Sequence, residues 1–203
     1  MDGFDKDNIP SDITNSITTG SNAGLLLQPP MVKEITAVTT LTNDNTPSYT
    51  FKSSKAGTIT YGGNCSSSTT SATTDNNAIT FNTLSDGTYS NCTLYVTSST
   101  GVKGNTLSVT PFTVDTTATA NFTAATDNVG TVTGALTSGN TTDDTALVLS
   151  GTNESESSVK VYNSSTELGA ATVSGTSWSY SATVANGTTY QFNVKETDLA
   201  GNT

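Results

Sequence analysis

The sequence predicts an all-β protein made of two β-sandwich domains in tandem. Three observations support this prediction: a composition rich in Thr and Val with few charges, apolar residues at alternate positions in many short segments, and an internal repeat of about 100 residues. No segment of ten residues shows the periodicity of an amphipathic helix.

The composition favours strands over helices and over disorder. Hydrophobic residues make up 33% and charged residues 12% of the 203 residues, and most of the remainder is Thr, Ser, Asn and Gly. Disordered chains of low hydrophobicity usually carry many charges. Thr and Val instead favour strands, because a branched Cβ fits a pleated surface. We therefore expect many short strands, polar turns and thin cores.

The charge balance excludes several classes of partner. The chain has 7 basic and 17 acidic residues, no His, and a net charge of −10. So few cations cannot neutralise a phosphate backbone or an anionic membrane surface, and we expect no nucleic-acid partner. No apolar run approaches the roughly 18 residues of a membrane-spanning helix, so membrane insertion is not expected either.

The sequence also predicts that the protein is not an enzyme. The absence of His excludes His-dependent triads and His-ligated zinc. The chain contains neither Gly-x-Ser-x-Gly nor a Gly-rich phosphate loop before a helix. Glu154 and Glu156 form a carboxylate pair of the kind that cleaves glycosides, but adjacent loop acids in a thin sandwich lack the enclosing cleft that this reaction needs.

The internal repeat sets the domain organisation. Three segments recur in the same order with a nearly constant offset: residues 42–47 resemble 141–146, 59–61 resemble 160–162, and 86–88 resemble 186–188. A period near 100 residues is the size of an immunoglobulin-type sandwich. We therefore predict a flexible tail or linker at residues 1–29, a first domain at 30–117 and a second domain at 118–203.

Apolar alternation identifies the strands within each repeat and their inward faces. The predicted inward sets are Tyr49/Phe51, Ile59/Tyr61, Ile79/Phe81, Cys92/Leu94/Val96 and Leu107/Val109 in the first repeat, and Leu147/Leu149, Val159/Val161, Trp178/Tyr180 and Tyr190/Phe192/Val194 in the second. We expect these side chains to form the two cores, because aromatic and aliphatic residues at such positions are usually buried.

Several short motifs resemble a known family. They are the segments DNVG at residues 127–130, TDDT at 142–145, LSGT at 149–152 and TDLAGN at 197–202, with the linker VDTTAT at 114–119. Together they resemble the tandem bacterial Ig-like repeats of large secreted adhesins and biofilm-associated surface proteins. The linker is similar to the Asp-Thr-Thr-Ala-Pro joint between such repeats, with Thr119 in the place of the Pro.

The resemblance covers roughly residues 30–203 and implies an extracellular or bacterial cell-surface location. It implies a structural stalk or spacer module that supports cell adhesion, with neighbouring Ig-like repeats of the same chain as its partners. Two alternatives stay open: a module that binds a host or matrix glycan or protein, and an accessory domain of a secreted enzyme. An exposed aromatic cluster would favour a binding module, and Tyr95 is the one aromatic with outward parity in a predicted strand.

The two cysteines, Cys65 and Cys92, are predicted to form a disulfide. Their parity assigns Cys65 to the end of strand C and Cys92 to the start of strand F, which are antiparallel neighbours in an immunoglobulin sandwich. In an oxidising compartment the two thiols would be joined. The alternatives are two buried free thiols, or a metal site that two Cys without His cannot complete.

Four acidic residues are candidate calcium ligands. Asp198 is predicted in the last loop of the second domain, Glu154 and Glu156 in the loop between strands B and C, and Asp115 in the linker that reaches the same end. Calcium takes six to eight oxygen ligands, including carboxylates. The resemblance implies calcium sites between domains in some members of the family. The alternative is a solvated acidic loop.

The last strand is predicted to differ between the two domains. Residues 106–114 are expected to form strand G of the first, whereas in the second domain the sequence reaches Thr203 with no such strand. Two explanations stay open: the chain is a fragment whose continuation supplies the strand, or a neighbouring subunit donates it from residues 13–28. The apolar candidates for a donated strand are Ile13, Ile17 and residues 25–27.

Overall fold

The computed structural model describes residues 28–131 and 133–203 of the chain. These residues form antiparallel sheets and no helix, which confirms the predicted all-β class with two immunoglobulin-like sandwiches. Within this part of the chain, no helix is long and apolar enough to cross a membrane. The predicted donor residues Ile13, Ile17 and 25–27, and all but the last two residues of the predicted tail at 1–29, lie outside the described residues.

Among the described residues, nine short strands form the first sandwich around one hydrophobic core. One sheet has the order β1-β2-β5, the other has the order β4-β3-β7-β8, and β6 pairs with β9. In chain order the strands are β1 (Val32–Thr36), β2 (Ser48–Ser53), β3 (Gly57–Gly62), β4 (Ser71–Ala72), β5 (Asp75–Thr80), β6 (Gly87–Tyr89), β7 (Thr93–Ser98), β8 (Leu107–Ser108) and β9 (Phe112–Val114).

The alternation in the sequence identifies most of this core. Nine of the predicted inward residues are at most 3% exposed: Tyr49, Phe51, Ile59, Ile79, Phe81, Cys92, Leu94, Val96 and Val109. Tyr61 and Leu107 are only partly buried and pack against the cluster. Phe81 lies between Tyr49 and Phe112, with ring centroids 5.7 and 6.1 Å away, so one aromatic stack connects β2 to the last strand.

The prediction that residues 106–114 form one continuous last strand of the first sandwich is wrong. It is divided into β8, which pairs with β7, and β9, which pairs with β6. Pro111 lies between the two segments and has no N–H to donate to a ladder, so pairing stops there. After this break Val114 also forms a parallel bridge with Thr42.

The second sandwich has one sheet of order β11-β10-β12-β16-β15 and one of order β14-β13-β17. Its core contains Leu147, Leu149, Val159, Val161 and Trp178, each at most 4% exposed. In chain order the strands are β10 (Asn121–Asp127), β11 (Gly134–Leu136), β12 (Ala146–Thr152), β13 (Ser158–Asn163), β14 (Thr166–Ala170), β15 (Thr172–Ser174), β16 (Ser177–Thr183) and β17 (Phe192–Thr197).

The strand pair β2–β5 of the first sandwich corresponds to the pair β12–β16 of the second. The large core residue lies on the first strand of one pair and on the second strand of the other. In the first sandwich Phe51 on β2 faces Asn77 on β5, whereas in the second Gly151 on β12 faces Trp178 on β16. The glycine leaves room for the indole ring, whose Nε1 donates a hydrogen bond to the carbonyl of Asn121 at 3.1 Å. Each interior therefore stays filled although the bulky side chain has changed strand.

Candidate metal site at the domain joint

The two cysteines form the predicted disulfide. The Cα atoms of Cys65 and Cys92 are 5.2 Å apart, and the residues are 4% and 1% exposed. Cys65 lies three residues beyond the end of β3 and Cys92 directly before β7, so both are just outside the strands to which their parity assigned them. The bridge connects the ends of two neighbouring strands within the core.

The first sandwich holds the beginning of the linker. The N–H of Asp115 donates to the carbonyl of Thr42 at 2.9 Å. Asp86, in the loop before β6, accepts hydrogen bonds through Oδ1 from the N–H and Oγ1 of Thr116 at 3.0 and 2.7 Å, and through Oδ2 from Oγ1 of Thr117 at 3.3 Å. One carboxylate therefore fixes two consecutive linker residues.

We expect Asp86→Ala to release this end of the linker. Hydrogen exchange of the Thr116 amide should become at least about tenfold faster, because its acceptor is lost and local opening then costs less. Asp86→Asn is the matched variant, since its remaining oxygen can still accept from Thr116, and exchange there should stay close to wild type. Equal exchange in wild type and Asp86→Ala would show that Asp86 does not restrain the linker.

Asp198 lies in the turn that follows β17 and is 8% exposed. Its carboxylate accepts hydrogen bonds from the N–H of Asn202 at 2.9 Å and from the Asn202 side-chain amide at 2.7 Å. Burial opposes ionisation, but the hydrogen bonds from Asn202 and from the N–H groups of Gly201 and Ala200 hold the pKa of Asp198 below its usual value. The group is therefore ionised at neutral pH, which is the form that binds a cation.

Asn202 also connects this turn to the linker. Its Nδ2 donates a hydrogen bond to the backbone carbonyl of Asp115 at 2.8 Å. The same nitrogen donates to Asp198, so a single amide bridges the two segments that carry candidate ligands. The position of Asp115 relative to the second sandwich is set in part by this contact.

Glu154 is held from three sides in the loop between β12 and β13. Its Oε1 accepts a hydrogen bond from Oγ1 of Thr119 at 2.6 Å, and its carbonyl accepts from Oγ of Ser157 at 2.8 Å. Its N–H donates to Oε1 of Glu196 at 2.6 Å. The side chain is thus directed toward the linker while the backbone is fixed to β17.

Three of the four candidate ligands lie together. One carboxylate oxygen each from Asp115, Glu154 and Asp198 lies within 4.8 Å of the others, with Asp198 buried and the other two half-buried. Glu156, the fourth candidate, is not in this cluster. It is exposed, in a loop where its φ of 61° turns the chain.

The cluster concentrates negative charge, and none of its carboxylates forms a salt bridge with the described residues. The two salt bridges among the described residues, Lys52–Asp75 and Lys160–Glu167, both lie elsewhere. Ionised carboxylates at such separations repel one another. Two oxygens on one Ca²⁺ are at most about 5 Å apart, because each Ca–O distance is about 2.3–2.6 Å. The triad can therefore hold a divalent cation, with further oxygens supplied by water.

Sequence reasoning missed three residues of the joint: Asp86, Asn202 and Glu196. Asn202 lies within the motif at 197–202, and Glu196 continues the inward parity of Val194, so both left a signal in the sequence. Asp86 lies in the repeated segment at 86–88, but nothing in that segment indicates its contact with Thr116, 30 residues away.

A comparison with protein families matches residues 119–203, the second sandwich with its last linker residue, to a family described as bacterial Ig-like domain. Residues 119–203 form a bacterial Ig-like domain. This confirms the bacterial Ig-like part of the resemblance for the second sandwich. A search of curated proteins finds no match to the chain.

The bacterial Ig-like domain is typically a non-catalytic module, and it is the family detected in this chain. Disulfides persist in oxidising environments and are rare in the cytosol. The Cys65–Cys92 bridge and the bacterial Ig-like domain together indicate an extracytoplasmic protein.

Proposed function

We propose that the chain is a structural stalk or spacer module of a secreted bacterial surface adhesin, and that calcium stiffens the joint between its two sandwiches. The observation that carries the proposal is the convergence of Asp115, from the linker, with Glu154 and Asp198 of the bacterial Ig-like domain. Its partners are neighbouring Ig-like repeats of the same chain, and its location is the cell surface.

The mechanism is mechanical. Asp86 attaches the linker to the first sandwich, and a cation bound by Asp115, Glu154 and Asp198 attaches it to the second. Without the cation, repulsion among the three carboxylates opposes this arrangement. Calcium binding would therefore restrict motion between the domains and let the module transmit tension as a rod.

The surface supports a spacer better than a binding module. Among the described residues, Phe122 is the one aromatic among the large exposed hydrophobics, and its ring packs 5.8 Å from that of Trp178. Tyr95, outward on β7, is half-buried under the ammonium group of Lys103 at 3.9 Å. Single rings of this kind do not form an exposed aromatic cluster.

Calorimetric titration of the chain with Ca²⁺ tests the proposal. We expect binding with a Kd of about 10⁻⁴ to 10⁻³ M, the range of extracellular calcium modules. Asp198→Asn removes one charged ligand and should weaken binding at least about tenfold. Glu156→Gln is the matched control, since it removes an acid from the same end of the domain but outside the cluster, and its affinity should equal that of wild type.

Residual dipolar couplings measure the mechanical consequence. With saturating Ca²⁺ the two sandwiches should report one common alignment, and in a chelator they should report two. Absence of calcium binding by the wild type, or a loss in Glu156→Gln as large as that in Asp198→Asn, would contradict the proposed site. Calcium binding without any change in relative alignment would refute the stiffening role.

A further inference from the structure

The first strand of the first sandwich runs beside the segment that leads out of this domain. β1 pairs with β2 along one edge, and its other edge faces residues 104–110. Three contacts between β1 with its preceding residues and this segment have residue numbers that rise together, so the two segments run parallel. The contacting pairs are Pro30 with Gly104, Val32 with Asn105, and Glu34 with Thr110.

Asn105 attaches the leaving segment to β1 through its side-chain amide. Its Oδ1 accepts a hydrogen bond from the N–H of Val32 at 2.7 Å, and its Nδ2 donates to the carbonyl of Val32 at 2.9 Å. The amide therefore bonds both main-chain groups of one strand residue, as a facing residue in an antiparallel ladder does. Val32 is buried, so both groups would lose their partners without Asn105.

Glu34 makes a second attachment to the same segment. Its Oε2 accepts a hydrogen bond from the N–H of Thr110 at 3.0 Å, and its Oε1 accepts from Oγ1 of Thr110 at 2.6 Å. Burial opposes ionisation, but the hydrogen bonds from Thr110 hold the pKa of Glu34 below its usual value. The carboxylate is therefore ionised at neutral pH, and hydrogen bonds to an ionised acceptor are roughly twice as strong as neutral ones.

A main-chain bridge joins the entering and leaving segments again beyond Pro111. The N–H of Thr42 donates to the carbonyl of Thr113 at 3.0 Å, and the N–H of Asp115 donates to the carbonyl of Thr42 at 2.9 Å. Among the described residues, no backbone–backbone hydrogen bond joins β1 itself to residues 104–110. At β1 the attachment therefore depends on side chains, which single substitutions can remove.

Tension along the chain would act directly on these contacts. It would enter the first sandwich ahead of Pro30 and leave through the linker at Asp115. Because the two segments are parallel, a pull on the start of one and the end of the other draws them past each other along their length. The hydrogen bonds at β1 and at Thr42 are then loaded together. Unfolding under force is governed by the unfolding rate, so contacts that must break first decide the resistance.

We propose that the side chains of Asn105 and Glu34 form a mechanical clamp, which fixes the entering strand of the first sandwich to its leaving segment and sets the force at which this domain unfolds. The inference rests on the proposed stalk function, since such a clamp has a role in a chain under tension. It concerns resistance within one sandwich, whereas the calcium site concerns the joint between two.

Single-molecule force spectroscopy tests the clamp on the full chain, held by its two ends in a calcium chelator. The disulfide identifies the first sandwich, because it withholds the chain between its cysteines, a separation of 27 residues, from extension. The unfolding step of this domain should therefore lengthen by about 90 Å on reduction. At constant force, Asn105→Ala and Glu34→Ala should each raise the rate of this step at least about tenfold.

Glu34→Gln is the conservative variant. It keeps one oxygen that can accept from Thr110 but loses the charge, so the unfolding rate under force should lie between those of wild type and Glu34→Ala. Because this substitution removes no acceptor outright, it keeps the test decisive even where an alanine variant fails to fold. An unfolding rate in Glu34→Gln equal to that of wild type would contradict a role for the Glu34 charge in the clamp.

Asn77→Ala is the matched control. The Asn77 amide also bonds both main-chain groups of one residue, accepting from the N–H of Thr73 at 2.7 Å and donating to its carbonyl at 3.0 Å. This contact is local to the turn between β4 and β5 and stays formed while β1 separates from residues 104–110. Its loss should therefore lower the stability in urea and slow refolding, with less than about a twofold change in the unfolding rate under force.

Equal unfolding rates under force in wild type, Asn105→Ala and Glu34→Ala would overturn the proposal. A rise in Asn77→Ala as large as theirs, at an equal loss of stability in urea, would also overturn it, because general destabilisation would then explain the effect. Neither result bears on the calcium site, since the chelator removes calcium from the measurement. Equally, a wild type that binds no calcium would leave the outcome for the clamp unchanged.

Discussion

Replacing Cys65 and Cys92 by Ser is expected to destabilise the first sandwich by about 3.5 kcal/mol. The bridge spans a sequence separation of 27 residues. In the chain-entropy description, closing a loop of that length removes about 12 cal/mol/K of entropy from the unfolded chain, which is about 3.5 kcal/mol at 25 °C. Both residues are buried, and serine hydroxyls left without partners there would add to the loss.

Urea unfolding followed by circular dichroism measures this effect, with Trp178 fluorescence as an internal control. The unfolding midpoint of the first sandwich should move to a lower urea concentration. The midpoint reported by Trp178 in the second sandwich should not change. Wild-type protein under reducing conditions should behave like the double variant. A double variant as stable as the oxidised wild type would show that the bridge contributes no stability.

Gly151→Ala is expected to destabilise the second sandwich by about 3 kcal/mol, the upper part of the range for overpacking. A Cβ at this position would overlap the carbonyl of Asn121 and lie 2.7 Å from the Trp178 ring. These atoms are joined by the hydrogen bond from Trp178 to Asn121, so neither can move without disturbing the other. β10 and the indole must both shift.

The unfolding transition of Trp178 fluorescence checks this expectation. Thr152→Ala is the control, because Thr152 is the next residue of β12 and is exposed. It should change stability by less than about 0.5 kcal/mol. Equal stability of Gly151→Ala and wild type would mean that β10 is free to move away from β12 at this point.

The alternation of apolar residues was sufficient to identify most of the buried strands. In a sandwich one face of each strand is buried, so apolar residues recur at every second position wherever a strand is regular. Phe51, Val96, Leu149 and Val161, all predicted to point inward, have 0% exposure. The pairing of Cys65 with Cys92 followed from the same parity, because strand ends that are neighbours must bring their side chains together.

Irregular positions could not be predicted in this way. Pro111 divides the last strand of the first sandwich into two segments that pair with different strands. The alternation of apolar residues does not indicate where a strand changes its partner. Gly151 carries no side chain, so its role beside Trp178 appears only when β12 and β16 are paired.

The sequence by itself determined the fold class, the two cores, the disulfide and the candidate acids at the joint. These depend on local periodicity and on the residue types that strands and turns require. The tertiary structure decided that Glu154 joins Asp115 and Asp198 while Glu156 faces solvent, and that Asp86 holds the linker. Loop direction and contacts between distant segments depend on packing of the whole chain, which local patterns do not encode.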